Sequence, residues 1–112
     1  MKRHPVNEVL RVVSEHFGVS VADIRSQRRT REVHPARVWG MYLACETTGS
    51  SFEEIGRKFG GRDYTIVRMA ARACAREIAQ SPESARLFNA LRHRANVRQR
   101  RNSQSQRRTS AL

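Results

Sequence analysis

Between Phe59 and Val67 the chain reads FGGRDYTIV, two glycines followed by arginine, aspartate, tyrosine and threonine. These side chains suit recognition better than bond-making. An arginine fork can bridge guanine O6 and N7, a carboxylate can accept from a cytosine amino group, and a threonine methyl can meet a thymine methyl. They do so when carried on the leading turn of a helix that enters the major groove. Asp63 equally suits the N-cap of that helix, and the residues alone leave both roles open. A second cationic group lies upstream in SQRRTREVHPAR, where Arg28, Arg29, Arg31 and Arg37 read as an exposed basic loop. Arg68, Arg72 and Arg76 add a basic stripe further along the helix that starts after Asp63.

Bond-making chemistry has little to work with. No Ser/His/Asp, Cys/His or paired-carboxylate arrangement stands out, so the expectation is no enzyme, no catalytic residue and no cofactor. His4, His16, His34 and His93 lack metal-ligand spacing and read as solvated or packing histidines, which leaves no metal site. Cys45 and Cys74 have no CxxC partner and read as buried free thiols in a reducing compartment.

The elements that must position the arginines are helical. Pro5, Val9, Leu10, Val13 and Phe17 give one apolar helix face, which Gly18 can close. Ser20 and Asp23 resemble a capping box for a short second helix through Ile24. Pro35 sits in the first turn of a third helix carrying Val38, Tyr42, Leu43 and Cys45, which stops near Gly49. Ser51 with Glu54 is a full capping box for a fourth helix, about 51–59, whose expected buried face is Phe52, Ile55 and Phe59. Gly60 and Gly61 end that helix and let the next, about 63–79, cross it sharply. Together these two make a helix-turn-helix. Ser81, Pro82 and Glu83 open a sixth helix through Leu87, Phe88 and Leu91. The expectation is an all-α bundle of six helices occupying residues 1–95. After about Ala95 the apolar positions thin out, and 96–112 reads as an arginine-rich disordered tail.

Charge decides the class of partner. The 112 residues carry a formal net charge of +12, and 20 of the 22 cations are arginine. Residues 92–112 hold seven arginines and no acid, which leaves +5 on the rest. A surplus of this kind points to a polyanion, nucleic acid first and an acidic membrane surface second. No apolar run approaches a membrane span and the N-terminus lacks a secretion-signal pattern, so a cytoplasmic, nucleoid-associated protein is expected.

With these residues in place, a resemblance becomes specific. EIGRKFGGRDYTIV resembles the EIG..FGGRDHTTV signature of the C-terminal DNA-binding domain of the bacterial replication initiator DnaA. FGVSVADIRSQRRTREVHPARVWGMYLA is similar to that family's short helix, basic loop and long third helix. The resemblance covers roughly residues 6 to 80. It implies a six-helix fold related to the Trp-repressor type, binding duplex DNA as a monomer at a DnaA box. Position by position, it implies Arg29 in the minor groove and Arg62, Asp63 and Thr65 as major-groove readers, with Tyr64 in place of a base-contacting histidine. It implies Arg37 as a phosphate ligand and Arg28, Ser50 and Ser51 as backbone contacts. Arg68 belongs to the same face. Ile66 stands where the family has a second threonine, Val38 where it has glutamine, and HPAR shifts the proline by one place. These changes alter polar contacts at the DNA face.

The family's ATP-binding motor needs a phosphate loop, and no GK[ST] occurs in these 112 residues. The resulting expectation is sequence-specific binding of double-stranded DNA without ATPase activity, by a regulator of transcription or replication initiation that competes with full-length DnaA. A non-specific nucleoid-type basic protein, driven by charge alone, is the alternative. A module docking on the initiator's partners is a third reading.

Overall fold

The computed structural model describes residues 5–110, with side chains to residue 100. His4 and the tail side chains Arg101, Arg107 and Arg108 therefore lie outside the described residues. Six helices follow one another: α1 (Val6–Phe17), α2 (Val21–Arg25), α3 (Val33–Thr47), α4 (Phe52–Lys58), α5 (Tyr64–Gln80) and α6 (Pro82–Ser110). Among the described residues there is no strand. The all-α expectation holds.

The helix ends follow local chemistry. Gly18 closes α1 in the left-handed region, with its N–H on the Ser14 carbonyl. Ser20 Oγ accepts from the Asp23 N–H at 3.0 Å, and Ser51 Oγ accepts from the Glu54 N–H at 3.1 Å. Each hydroxyl satisfies one of the amides that a helix start leaves without a partner.

The central helix is α3. It packs on α1 and α5, and α4 and α6 close around it. Val9, Leu10, Val13, Ile24, Met41, Leu43, Ile55, Phe59, Val67, Phe88 and Leu91 form one continuous core. Gly40 on α3 lets the Phe59 ring approach, because a Cβ there would stand 2.9 Å from the ring. Phe52, expected in the buried face of α4, is exposed instead, at the first helical position, while Ile55 and Phe59 are buried.

α6 departs most from the sequence reading. The helix does not end near Ala95 but runs on to Ser110. From Glu83 to Ser110 it contains no glycine or proline to break it. Ala95 is itself buried, and beyond it Arg98 donates to Glu8 and, at 2.9 Å, to Glu15, both on α1. The boundary expected at residue 96 is therefore not a helix end.

Candidate nucleic-acid interface

The turn between α4 and α5 is built on two glycines in the left-handed region. Gly60 and Gly61 have φ of +91° and +78°, a region open to glycine at little cost. A Cβ on Gly60 would lie 1.9 Å from the Arg25 carbonyl oxygen, and one on Gly56 would lie 2.1 Å from the Arg62 carbonyl oxygen. The Arg62 N–H closes the turn on the Gly56 carbonyl at 2.8 Å. The two helices thus cross at close range, and α5 begins with its first turn in solvent.

On that first turn Asp63, Tyr64, Thr65 and Ile66 are all exposed. Asp63 occupies the N-cap position, but its carboxylate accepts from the Thr65 hydroxyl and makes no cap bond to a backbone amide. Both groups are therefore held at the surface. Val67, Ala70 and Cys74 turn inward, while Arg68, Arg72 and Arg76 stay outside.

Facing α5 across an open groove of about 1070 Å³ is the segment between α2 and α3. Arg29, Thr30, Arg31 and His34 line one wall, and Arg62, Asp63, Ile66 and Met69 line the other. Arg28 and Arg29 are both exposed. The side chains of Arg29, Arg37 and Arg62 are close enough to repel one another. The Arg37 guanidinium is held below its ordinary range by burial and then by Arg29, and Arg62 by burial, Arg37 and Arg29 in turn. A groove crowded with like charge is relieved by an anion.

Comparison with known proteins now decides the family. The family model described as "Bacterial dnaA protein helix-turn-helix" matches residues 6–74. The chain belongs to this family. It is 54% identical over 71 residues to the chromosomal replication initiator protein DnaA of Xanthobacter autotrophicus, covering 63% of this chain and 14% of that protein. The DnaA proteins of Bartonella quintana and Brucella abortus are 49% and 48% identical over the same length and the same shares. The chain thus spans about one seventh of the length of the DnaA proteins it matches, and its matching region is their DNA-binding helix-turn-helix.

Within this DnaA-type domain the expected site residues divide. Arg29, Arg62 and Asp63 line one groove, and Tyr64, Thr65 and Arg68 are exposed on the helix that forms its wall. Ser51 is exposed, with its hydroxyl engaged as the α4 cap, and the half-buried Ser50 donates its N–H to Thr48 Oγ1 at 3.1 Å. Two arginines differ from expectation. Arg37, expected in an exposed loop, is 5% exposed. Its Nε donates to the Ile24 carbonyl at 2.9 Å and its Nη2 to the Asp23 and Ser26 carbonyls at 3.1 Å each. The reason is the short helix α2, whose last carbonyls lack intrahelical partners and attract a cation. Arg62 does not extend into solvent but folds back, donating to the carbonyls of Phe59 and Ser26.

The groove also contains Met69, which the sequence reading passed over. Met69, 65% exposed, follows Ile66 by one helical turn, and both are large apolar groups facing solvent beside arginines. The spacing of Met69 off the Val67/Ala70/Cys74 stripe was the available signal. Among the described residues no group of three His, Cys, Asp or Glu side chains could hold a metal ion, and no helix is long and apolar enough to cross a membrane.

Proposed function

We propose that this chain binds double-stranded DNA sequence-specifically at sites resembling DnaA boxes, and that occupancy of those sites regulates transcription or replication initiation. The observation that carries this reading is the opposition of two elements across one groove: the solvent-exposed Arg28–Arg29 loop and the leading turn of α5. Thr65, Asp63 and Tyr64 would face base edges in the major groove, while Arg29 enters the adjacent minor groove, where a narrow A·T-rich stretch favours a cation. Arg28, Arg68, Ser50 and Ser51 would contact the backbone. Ile66 and Met69 add apolar surface suited to thymine methyl groups. Arg62 reads a guanine only by giving up the Ser26 carbonyl.

On this reading the domain acts as a monomer, within the cytoplasm and on the nucleoid, and competes with full-length DnaA for shared sites. No step requires catalysis. The net charge of +12 supplies the sequence-independent part of the affinity.

The test is binding of the Arg29→Ala and Thr65→Ala variants to a selected cognate duplex and to a random one. Each is expected to lose about 1–3 kcal/mol on the cognate site and little on random DNA. Equal losses on both duplexes, with a steep salt slope, would assign the protein to charge-driven binding and remove the regulator reading.

A further inference from the structure

Two arginines, one from α3 and one from the turn between α4 and α5, meet on one backbone oxygen. The Ser26 carbonyl, immediately after α2, accepts from Arg37 Nη2 at 3.1 Å and from Arg62 Nη2 at 2.7 Å. A carbonyl has two lone pairs, and here both are used by guanidinium donors. Arg62 also donates through Nη1 to the Phe59 carbonyl, so its fork bridges the end of α4 to the end of α2. An independent contact lies beside it. Gly60 rests so closely on Arg25 that a Cβ would stand 1.9 Å from its carbonyl oxygen and 2.9 Å from Arg62 Nη1. The helix-turn-helix corner and the start of the basic loop are therefore fastened together at two neighbouring points.

The position of that fastening matters. Ser26 lies two residues before Arg28 and three before Arg29, and its hydroxyl accepts the Arg28 N–H at 3.1 Å. Arg62 itself lies two residues before Tyr64, the first residue of α5. One guanidinium thus joins the base of the loop to the base of the recognition helix.

We propose that Arg62 is a positioning residue: its bridge between the Phe59 and Ser26 carbonyls sets where the Arg28–Arg29 loop stands relative to the leading turn of α5. The consequence for DNA rests on the reading given above, but the bridge itself exists without DNA. Loss of the Arg62 fork loosens the loop, and with it the recognition made by Arg29, a residue that Arg62 does not replace. A residue that only reads one guanine has no such reach.

Amide hydrogen exchange on the DNA-free protein tests the bridge directly. In Arg62→Ala, exchange at Ser26 and Arg28 is expected to speed up roughly tenfold or more, while Val12 in α1 keeps its rate and reports that the domain is folded. Arg62→Lys, whose single ammonium cannot span both carbonyls, should also exchange faster than the parent at these two amides. Binding is then profiled with single base-pair changes across the cognate site. Arg62→Ala should lose discrimination at the pairs that Arg29→Ala also affects, beyond any loss at a guanine of its own. Wild-type exchange at Ser26 and Arg28 in both variants would overturn the proposal. So would undiminished discrimination at the Arg29-dependent pairs. If the parent protein prefers no DNA sequence, the DNA reading fails while the exchange result still decides the bridge.

Discussion

Arg37 Nε donates to the Ile24 carbonyl at 2.9 Å, thirteen residues back along the chain. This bond places a charged side chain in the wall between α2 and α3, where a hydrophobic residue would ordinarily stand. The charge is tolerated because three carbonyls at the end of α2 receive its donors, and because a helix C-terminus favours a cation.

Replacing Arg37 by alanine should therefore act on stability before it acts on DNA binding. It leaves the Ile24 carbonyl without its side-chain donor in a water-poor wall and should cost about 3 kcal/mol in urea unfolding. Arg37→Lys keeps the charge but reaches fewer acceptors at once, and should cost roughly 1–2 kcal/mol. A fully stable Arg37→Ala variant with weakened DNA binding would show that the side chain is a ligand rather than a strut.

The glycines of the turn should separate by the space around them. Gly60→Ala meets both a positive φ and the Arg25 carbonyl, and backbone must move to admit it. A loss of about 3 kcal/mol or more is expected. At Gly61 the φ is also positive but nothing lies within 4 Å, so Gly61→Ala should cost only about 1 kcal/mol. Thermal melting of the two variants side by side checks the order. Equal losses would mean that the tight approach to Arg25 is not what the turn depends on.

Much of this architecture was legible because it is local. Ser20 and Ser51 announce helix starts through a hydroxyl three residues from the amide it meets, and Gly18 announces an end through a backbone conformation. The helix-turn-helix and its exposed leading turn follow from the same short-range rules. What was not legible depends on partners distant in sequence. An arginine in a polar segment reads as solvated, and only the fold reveals that Arg37 and Arg62 find carbonyls 11 and 36 residues away at Ser26. The same holds for α6. Its polar composition suggests a tail, yet Arg98 meets Glu8 across 90 residues of chain. Asp63 is an intermediate case: its cap position was readable, but its bond to the Thr65 hydroxyl was not.

The two cysteines should be inert in the folded protein. Burial, followed by the Glu46 charge, pushes the Cys45 thiol up to about 11, and burial with Glu77 pushes Cys74 up to about 12. Both raise an acid, so the folded state prefers the neutral thiol, and the stability this contributes is lost only as pH rises above 9 and through these values. Near neutral pH neither thiolate forms to a useful extent. Alkylation by iodoacetamide, followed by mass spectrometry, should label neither residue in buffer and both in denaturant. Rapid labelling of Cys74 in buffer would contradict its placement beneath α3.

His16 gives the fold an acid-sensitive point. Its Nδ1 is buried without a hydrogen-bond partner, its ring packs edge-on to Phe17 at 4.9 Å, and burial followed by the Arg94 charge lowers its pKa from 6.5. A lowered base means that the unfolded chain takes up the proton first. Stability from this residue is whole above 6.5, falls as pH drops below it, and levels off once the folded ring also protonates. His16→Gln removes this contribution, so wild type should lose more stability than the variant between about pH 7.5 and about pH 5 in urea unfolding. Taking the difference between the two proteins cancels the carboxylates they share. Arg94→Ala should shrink the difference by removing the second cause of the shift. Parallel pH profiles for wild type and His16→Gln would mean that the ring titrates alike in the folded and unfolded states and is open to water in both.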